Sequence, residues 1–143
     1  MKKMTKTEAY EFLATGTRTG KLATVRANGR PHVAPIWFVL DGDDLIFNTW
    51  HDSVKGKNLV RDGRIALTVD EEVAPYAFVM VEGTVEITEA DPAECLKWAT
   101  RIGARYMGAE QAEAFGQRNS VPGELLVRIK VDKVIAQKEL AAW

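Results

Sequence analysis

Six short segments of this sequence have the alternating apolar pattern or the β-branched composition of strands, and turn residues separate most of them. They span residues 21–25, 31–40, 45–50, 64–69, 78–87 and 125–132. Asn28-Gly29, between the first two segments, is a two-residue hairpin signal. Because helices are inserted between some strands and do not alternate with all of them, a parallel sheet is disfavoured. The pattern predicts an α+β fold, mainly β, built on a six-stranded antiparallel barrel.

Four helices are predicted between these strands. Residues 5–8, with the sequence TKTE, match a capping box that opens the first helix. Asp52 or Ser53 caps the second helix. Asp91-Pro92 opens the third, and residues 109–118 form a shorter fourth helix. One face of the third helix carries a stripe that we expect to be buried, made of Cys95, Ala99, Ile102 and Tyr106.

The composition limits the class of protein. With 143 residues and no linker or internal repeat, residues 1–143 are expected to form one domain. A net charge of -1 gives no general attraction to nucleic acid or to anionic membranes. The single cysteine excludes an internal disulfide, and no apolar run matches a signal peptide or a membrane span. We therefore expect a soluble cytoplasmic protein without nucleic-acid or membrane partners.

Familiar catalytic and metal-binding motifs are missing from the sequence. The two histidines, His32 and His51, have no neighbour at metal-ligand spacing, so a zinc or di-iron site is not expected. A nucleophile elbow, a Walker loop and a dinucleotide-binding glycine motif are absent. Cys95 lies in an apolar helical stripe, which is typical of a buried, inert thiol. The sequence therefore assigns no catalytic residue and no metal ligand.

Residues 48–58 carry the clearest binding chemistry. A strand ends there in polar side chains, and a helix begins with Lys55 and Lys57 in its first turns. Lysines are unfavourable at a helix start because the unpaired N–H groups already carry partial positive charge. A phosphate would pair with both lysines and the helix end, and Gly56 leaves room for a ligand or a neighbouring backbone. The alternative interpretation is a solvated basic turn.

Two tryptophans and a proline form a second candidate cluster. Pro35 lies inside a predicted strand, where it removes a ladder donor and indicates an edge or a bulge, and bulges are common beside binding sites. Trp37 and Trp50 either wall a planar ring or are core aromatics at a dimer seam. Basic residues near aromatics also occur in nucleic-acid barrels, but the overall charge disfavours that class.

Several short runs together resemble the pyridoxamine-phosphate-oxidase-like split barrels, and most closely the B-type flavin/deazaflavin oxidoreductases of actinobacteria. The runs are residues 20–25 (GKLATV), 29–33 (GRPHV), 47–49 (FNT), 53–59 (SVKGKNL), 61–64 (RDGR) and 81–83 (VEG). The run at 53–59 is the most specific. The resemblance covers residues 16–88 well and the last strand loosely, and it implies a six-stranded antiparallel split β-barrel with inserted helices.

The resemblance also implies a homodimer with two cofactor sites at the subunit interface. It places the cofactor ring against the second and third strands and the cofactor phosphate at the helix that follows the third strand. The cofactor-binding residues that it assigns are Lys55 and Asn58 at the phosphate with Lys57 assisting, Ser53 in the same motif, Asn48 and Thr49 at the ring or ribityl chain, and the backbone of Pro35, Ile36 and Trp37 at the ring edge.

Departures from the family pattern narrow the implied activity. In the family pattern, an arginine of the second strand binds the FMN phosphate, and the matching position here is Ala34. A second arginine usually precedes the phosphate-binding lysine, and here that position is Val54. The C-terminal arginine and histidine that hold pyridoxal phosphate have no counterpart, so vitamin B6 oxidation is rejected. With fewer arginines for FMN, the resemblance favours coenzyme F420, whose longer tail distributes its anchoring.

Three functions follow from this resemblance. The first is an F420-dependent oxidoreductase that transfers a hydride from the reduced deazaflavin to an electron-poor conjugated small molecule. The second is an FMN-dependent oxidoreductase, and the third is a non-catalytic flavin or F420 carrier. For the proton that must reach the substrate, His51, Arg61 and solvent are equal candidates.

Overall fold

The computed structural model describes residues 1–88 and 91–143. Within these residues the chain forms eight strands and four α-helices, with a single 3₁₀ turn at Ala109–Gln111. In chain order they are β1 Lys2–Lys3, α1 Lys6–Ala14, β2 Gly20–Val25, β3 Pro31–Ile36, β4 Val39–Asp41, β5 Asp44–Trp50, α2 Val54–Arg61, β6 Arg64–Glu71, β7 Ala77–Thr88, α3 Pro92–Met107, α4 Ala112–Arg118 and β8 Glu124–Lys138.

All strands belong to one antiparallel sheet in the order β3-β2-β6-β7-β8-β5-β4, and β1 pairs with β8. β3 and β4 lie at its two edges, so in the described residues the sheet is not closed into a full barrel. The mainly β, α+β split-barrel fold is therefore confirmed, with eight strands where the sequence predicted six. No helix in the described part of the chain combines the length and apolar character needed to cross a membrane.

The predicted strand over residues 31–40 is divided into two. β3 ends at Ile36 and β4 begins at Val39, so Trp37 and Phe38 leave the ladder. The last turn of α3 pairs the backbone groups that the ladder has lost. The Phe38 N–H donates to Tyr106 Oη at 3.3 Å, and the Phe38 carbonyl accepts from Arg105 Nη1 at 2.7 Å. Side chains from a distant helix thus replace the strand partners, as buried backbone groups require.

The hairpin between β2 and β3 is confirmed, but its loop is longer than predicted. Arg26 N–H donates to the Arg30 carbonyl and Gly29 N–H donates to the Arg26 carbonyl, both at 2.9 Å. This is a three-residue loop that ends in Gly29, which has a φ of 84°. Only glycine adopts that left-handed conformation freely, which explains the residue better than a two-residue turn does.

The helix starts follow the sequence signals closely. Thr5 and Glu8 form the reciprocal capping box, with both hydrogen bonds at 3.1 Å. Ser53, rather than Asp52, caps α2, because its hydroxyl accepts from the Gly56 N–H at 3.0 Å. Asp91 caps α3 in the same way. The predicted α3 stripe is confirmed: Cys95, Ala99 and Ile102 are buried and Tyr106 is partly buried.

Alternate residues of β5 face two different layers, and this places the cleft described below. Leu45 and Phe47 point into the main core formed inside the sheet. Ile46 belongs instead to a second cluster, in which α3 packs on the outer face of β5 and β8 through Cys95 and Trp98. Asn48, two residues after Ile46, lies on this same outer face because side chains in a strand alternate.

Candidate functional site

A cleft of about 350 Å³ opens where the end of β3, the end of β5 and the start of α2 meet α3 and α4. Seven of the nine residues predicted to bind a cofactor line it, and Lys57 and Asn58 do not. The seven are Pro35, Ile36, Trp37, Asn48, Thr49, Ser53 and Lys55. The structure therefore brings most of the predicted residues together, while their roles toward a cofactor stay predictions.

Asn48 presents an unsatisfied polar atom at this cleft. Its Nδ2 donates to Cys95 Sγ at 3.3 Å. Its Oδ1 is buried and has no hydrogen-bond partner among the described residues. Turning the amide over exchanges the two atoms, so one of them lacks a partner in either orientation. A buried polar atom without a partner is costly, and a ligand that lines up with it would remove that cost.

The turn from β5 into α2 is held by the hydroxyl of Ser53. That hydroxyl donates to the Trp50 carbonyl at 2.8 Å and accepts from the Gly56 N–H at 3.0 Å. Thr49 Oγ1 lies 3.1 Å from the same oxygen. Because the only proton of Ser53 is already donated, Thr49 is the donor of this third bond. Ser53 fixes the geometry of the helix start, and the Thr49 oxygen keeps its acceptor capacity.

The role of Gly56 is settled by its surroundings. A Cβ at this position would lie 2.5 Å from the Trp50 carbonyl oxygen and 3.1 Å from that of His51. Real Cβ atoms do not approach so closely, so only glycine permits the strand end to fold back over the helix start. Of the two uses that the sequence left open, a neighbouring backbone occupies the space.

Lys55 and Lys57 differ in their surroundings although two positions separate them. Lys55 is partly buried in the cleft and forms no ion pair with any residue of the described ranges. Lys57 is exposed and pairs with Asp52 at 3.1 Å. The helix start thus has one cation committed to a protein partner and one left facing the cleft.

Asn58 serves the fold in this structure. It is 3% exposed, its Nδ2 donates to Thr24 Oγ1 at 3.0 Å, and its Oδ1 accepts from Arg61 Nη2 at 3.2 Å. The bond to Thr24 ties α2 to β2, and the bond to Arg61 lies within α2. A contact between Asn58 and a phosphate stays a prediction. The two side chains considered as proton donors, His51 and Arg61, do not line the cleft either.

On the aromatic side of the cleft, other aromatic rings pack against Trp37. The Trp37 ring lies parallel to the Tyr106 ring, with 5.1 Å between centroids and 3° between planes. Phe115 packs against Trp37 at 5.8 Å. Tyr106 Oη donates to the Arg18 carbonyl at 2.9 Å, and burial raises the pKa of this phenol, which keeps the proton in place. Trp37 is therefore a supported wall of the cleft.

Four further residues line the cleft that the sequence did not assign to a binding site: Ile102, Arg118, Asn119 and Glu124. Arg118 lies in the last turn of α4, where a cation is ordinary. Glu124 is the first residue of β8 and pairs with Trp50 across the sheet. The pairing of β8 with β5 and the packing of α3 and α4 over β5 bring together residues that are far apart in sequence. No local signal therefore identifies these residues as part of the cleft.

The cleft combines two cations with one carboxyl group. Burial raises the pKa of Glu124, and the positive charges of Lys55, Arg118 and His51 oppose that rise. Burial also raises the pKa of the Cys95 thiol, and the charge of Glu124 adds to this effect, so the thiol stays protonated. Across residues 1–88 and 91–143 no three metal-ligating side chains cluster. The chemistry available is the binding of an anion beside a flat, partly apolar slot.

Solved structures with the same fold are numerous, and three illustrate the range. Protein Rv2991 from Mycobacterium tuberculosis, described as a conserved hypothetical protein, is 24% identical, with a TM-score of 0.82 over 98% of this chain and 89% of that chain. A structure described as an F420 reductase is 27% identical, with a TM-score of 0.68 over 87% and 94% of the two chains. A FAD-binding protein from Mesorhizobium loti is 19% identical, with a TM-score of 0.67 over 94% and 95%. None of the curated proteins matches this sequence.

A family model covers almost the whole chain. The model described as pyridoxamine 5'-phosphate oxidase matches residues 6–138, from the start of α1 to the end of β8. This span includes every residue of the cleft. The family that the short sequence runs resemble is therefore the family that the full-length comparison identifies. The chain belongs to the pyridoxamine 5'-phosphate oxidase family.

Proposed function

We propose that this protein is a coenzyme F420-dependent oxidoreductase, which transfers a hydride from the reduced deazaflavin to an electron-poor conjugated small molecule. The observation that carries the proposal is the cleft itself, in which Lys55 and Arg118 face the opening without an ion-pair partner among the described residues. The 27% identity with the F420 reductase structure supports the choice of cofactor.

The residues of the cleft fit such a cofactor. A volume of about 350 Å³ lies in the range of small-molecule sites. Lys55 and Arg118 would hold the anionic tail, because a phosphate accepts charge-assisted hydrogen bonds from both side chains. The unsatisfied amide of Asn48 would pair with the polar edge of the ring, which carries both a donor and acceptors. Pro35 and Trp37 would bound the ring on its apolar side.

When bound, the cofactor supplies the hydride, and the protein supplies position and electrostatics. Lys55 and Arg118 bind the tail and so set how far the ring reaches into the cleft. Asn48 orients the ring edge through its amide. Trp37, whose ring stacks on that of Tyr106, would form one side of the ring slot and exclude water from that side.

Oxidation of pyridoxamine phosphate is not part of the proposal, although the family is named for it. Ala34 and Val54 stand where the family pattern has phosphate-gripping arginines. Val54 is exposed at the first position of α2, and its side chain offers no hydrogen-bond donor there. The phosphate site therefore depends on Lys55 and on residues from other elements.

Arg118 favours one alternative, an FMN-dependent oxidoreductase. It brings a guanidinium into the cleft from α4, an element outside the motif that the family pattern uses. A guanidinium binds a phosphate monoester in a bidentate manner, so Arg118 offsets part of the loss at Ala34 and Val54. Direct competition between the two cofactors distinguishes the functions.

The test is a titration of purified apoprotein, made in a host that lacks deazaflavin, with F420 and with FMN. We expect micromolar binding of F420, at least about tenfold weaker binding of FMN, and still weaker binding of riboflavin, which has no phosphate. Turnover is then followed as oxidation of the reduced cofactor with quinones and unsaturated lactones. Micromolar binding of FMN without any binding of F420 would contradict the proposal.

The proposal includes a homodimer with the cofactor at the interface. Both elements that flank the cleft carry exposed apolar side chains, with Val33 on the edge strand β3 and Val54 and Val60 on α2. Exposed apolar side chains on elements that border a site suit a protein contact. Sedimentation velocity should show a dimer at micromolar concentration, and a monomer with full cofactor affinity would contradict the shared site.

A further inference from the structure

Glu124 is the one acidic residue among those that line the cleft in the described structure. It is partly buried at the first position of β8. Its backbone position is well fixed, because Glu124 pairs with Trp50 across the sheet and the His51 N–H donates to the Gly123 carbonyl at 2.9 Å. The backbone position of Glu124 is therefore fixed at a cleft that otherwise suits an anion.

Charged and titratable groups from four elements surround Glu124. They are Lys55 on α2, Arg118 on α4, His51 in the turn after β5, and the Cys95 thiol on α3. The three basic groups favour the ionised carboxylate, whereas burial favours the neutral acid. In the described residues none of these groups forms an ion pair with Glu124, so the balance depends on charges at a distance.

An anion bound to Lys55 and Arg118 changes that balance in two ways. It engages the two cations that stabilise the carboxylate, and it adds a negative charge inside the same cleft of about 350 Å³. Both effects act against the ionised form, since like charges that share a partly desolvated site do not all remain ionised. The cleft can accept the anion at lower cost if Glu124 becomes neutral.

We propose that Glu124 takes up a proton when an anionic cofactor tail binds at Lys55 and Arg118, so that the occupied cleft holds a neutral carboxylic acid. The inference rests on the proposed function, because it takes the cofactor tail to bind at these two cations. It adds a proton held at the carboxyl group of Glu124, which lines the same cleft as Asn48 and Trp37.

The main consequence is that cofactor affinity depends on pH through Glu124. One proton taken up per cofactor tightens binding by up to tenfold for each pH unit of acidification, within the range where Glu124 is ionised in the free cleft and neutral in the occupied one. Replacing the carboxyl by a neutral amide of the same shape removes this dependence. Glu124→Gln should therefore bind the cofactor more tightly than wild type at pH 8, and the difference should become smaller as the pH falls.

The experiment measures the F420 dissociation constant from pH 5.5 to 8.5 for wild type and Glu124→Gln. Calorimetry in buffers of different ionisation enthalpy gives the number of protons taken up. We expect the wild type to take up more protons than the variant and the variant to bind at least about threefold tighter at pH 8. Titrating groups of the cofactor contribute to both proteins and cancel in the comparison. Equal proton uptake and parallel pH profiles would overturn the inference.

A second measurement separates this inference from the proposed function. The ¹³C shift of the Glu124 carboxyl is titrated by NMR with and without saturating sulfate, an anion that has no titrating group near neutral pH. The midpoint should rise by at least about half a pH unit in sulfate, and an unchanged midpoint would overturn the inference whatever cofactor the protein uses. Failure of F420 to bind, with the sulfate shift present, would instead contradict only the proposed function.

Discussion

The two walls of the cleft are built in opposite ways. The anchored wall consists of Trp37, which lines the cleft, and of Arg105 and Tyr106, which do not line it and whose polar groups have protein partners. The Arg105 guanidinium alone donates to the carbonyls of Leu13 and Phe38 at 2.7 Å and to that of Gly16 at 3.0 Å. In the charged wall, formed by Lys55, Arg118 and Glu124, the described residues form no ion pair.

The difference separates charges that serve the fold from charges that have no ion-pair partner among the described residues. Arg105 is as cationic as Arg118, yet its donors are used to close the gap between α1, the strand break and α3. A charge left without a partner at a cleft does little for stability and costs free energy where it is partly buried. Such groups are therefore the better indicators of binding chemistry.

The largest effect expected from this comparison is on stability. Arg105→Ala leaves three carbonyls without their donor and should lower the free energy of unfolding by about 3 kcal/mol. Arg118→Ala, on the charged wall, should change it by less than about 0.5 kcal/mol. Urea denaturation followed by tryptophan fluorescence measures both. Equal effects of the two substitutions would remove the distinction between the walls.

The second effect concerns binding and is confined to the charged wall. Lys55→Ala should weaken the cofactor by about 1–3 kcal/mol, the expected loss of a charge-assisted contact to a phosphate. Lys57→Ala is the matched control on the same helix, and its effect should be smaller because Lys57 already pairs with Asp52 outside the cleft. Fluorescence titration gives both affinities. An unchanged affinity in a folded Lys55→Ala variant would place the site elsewhere.

A smaller effect tests the hydrogen bonds of the anchored wall. Tyr106→Phe keeps the ring that stacks on Trp37 but removes the hydroxyl that bonds to Arg18 and Phe38. The free energy of unfolding should fall by about 1 kcal/mol, because two backbone groups lose a partner. The near-ultraviolet circular dichroism of the stacked rings should persist. Loss of that signal would mean that the hydroxyl, and not the stacking, holds Trp37.

The smallest effect is the stability cost of the charged wall itself. The folded-state pKa of Glu124 is raised by burial, so its contribution to stability is present below the unfolded pKa and is lost as pH rises through the folded value. Glu124→Gln should therefore match wild type at pH 4 and be more stable at pH 7, by at most about 1 kcal/mol because the group is partly open to solvent. Thermal melts at the two pH values measure it. A variant that is less stable at pH 7 would reverse the sign of the argument.

Local features of the fold could be predicted from the sequence because their causes are local. Thr5 with Glu8, and Asp91 before Pro92, cap helices through residues three or four positions apart. The break at Trp37 and Phe38 could not be predicted, because Arg105 and Tyr106, nearly seventy positions away, replace the ladder. The apolar run of residues 33–40 continues unchanged through the break.

The same distinction divides the cleft. Residues 48–55 are close in sequence, and their strand–helix motif was enough to predict a phosphate-binding site there. Arg118 and Glu124 enter the cleft only because β8 pairs with β5 in one register and α4 packs beside it. A register shifted by one residue would turn Glu124 to the other face of the sheet. Long-range pairing of this kind produces no local sequence pattern at the residues that it brings together.

The strand break at Phe38 also has a consequence for how the molecule assembles. Both backbone groups of this residue are paired by the final turn of α3, which leaves the ribosome long after β3 and β4. Contacts that distant in sequence form late, after a large loop has closed. A nascent chain that ends before Tyr106 would thus lack both the partners of Phe38 and the later strand β8, and its cleft would form only after α3 and β8 had docked.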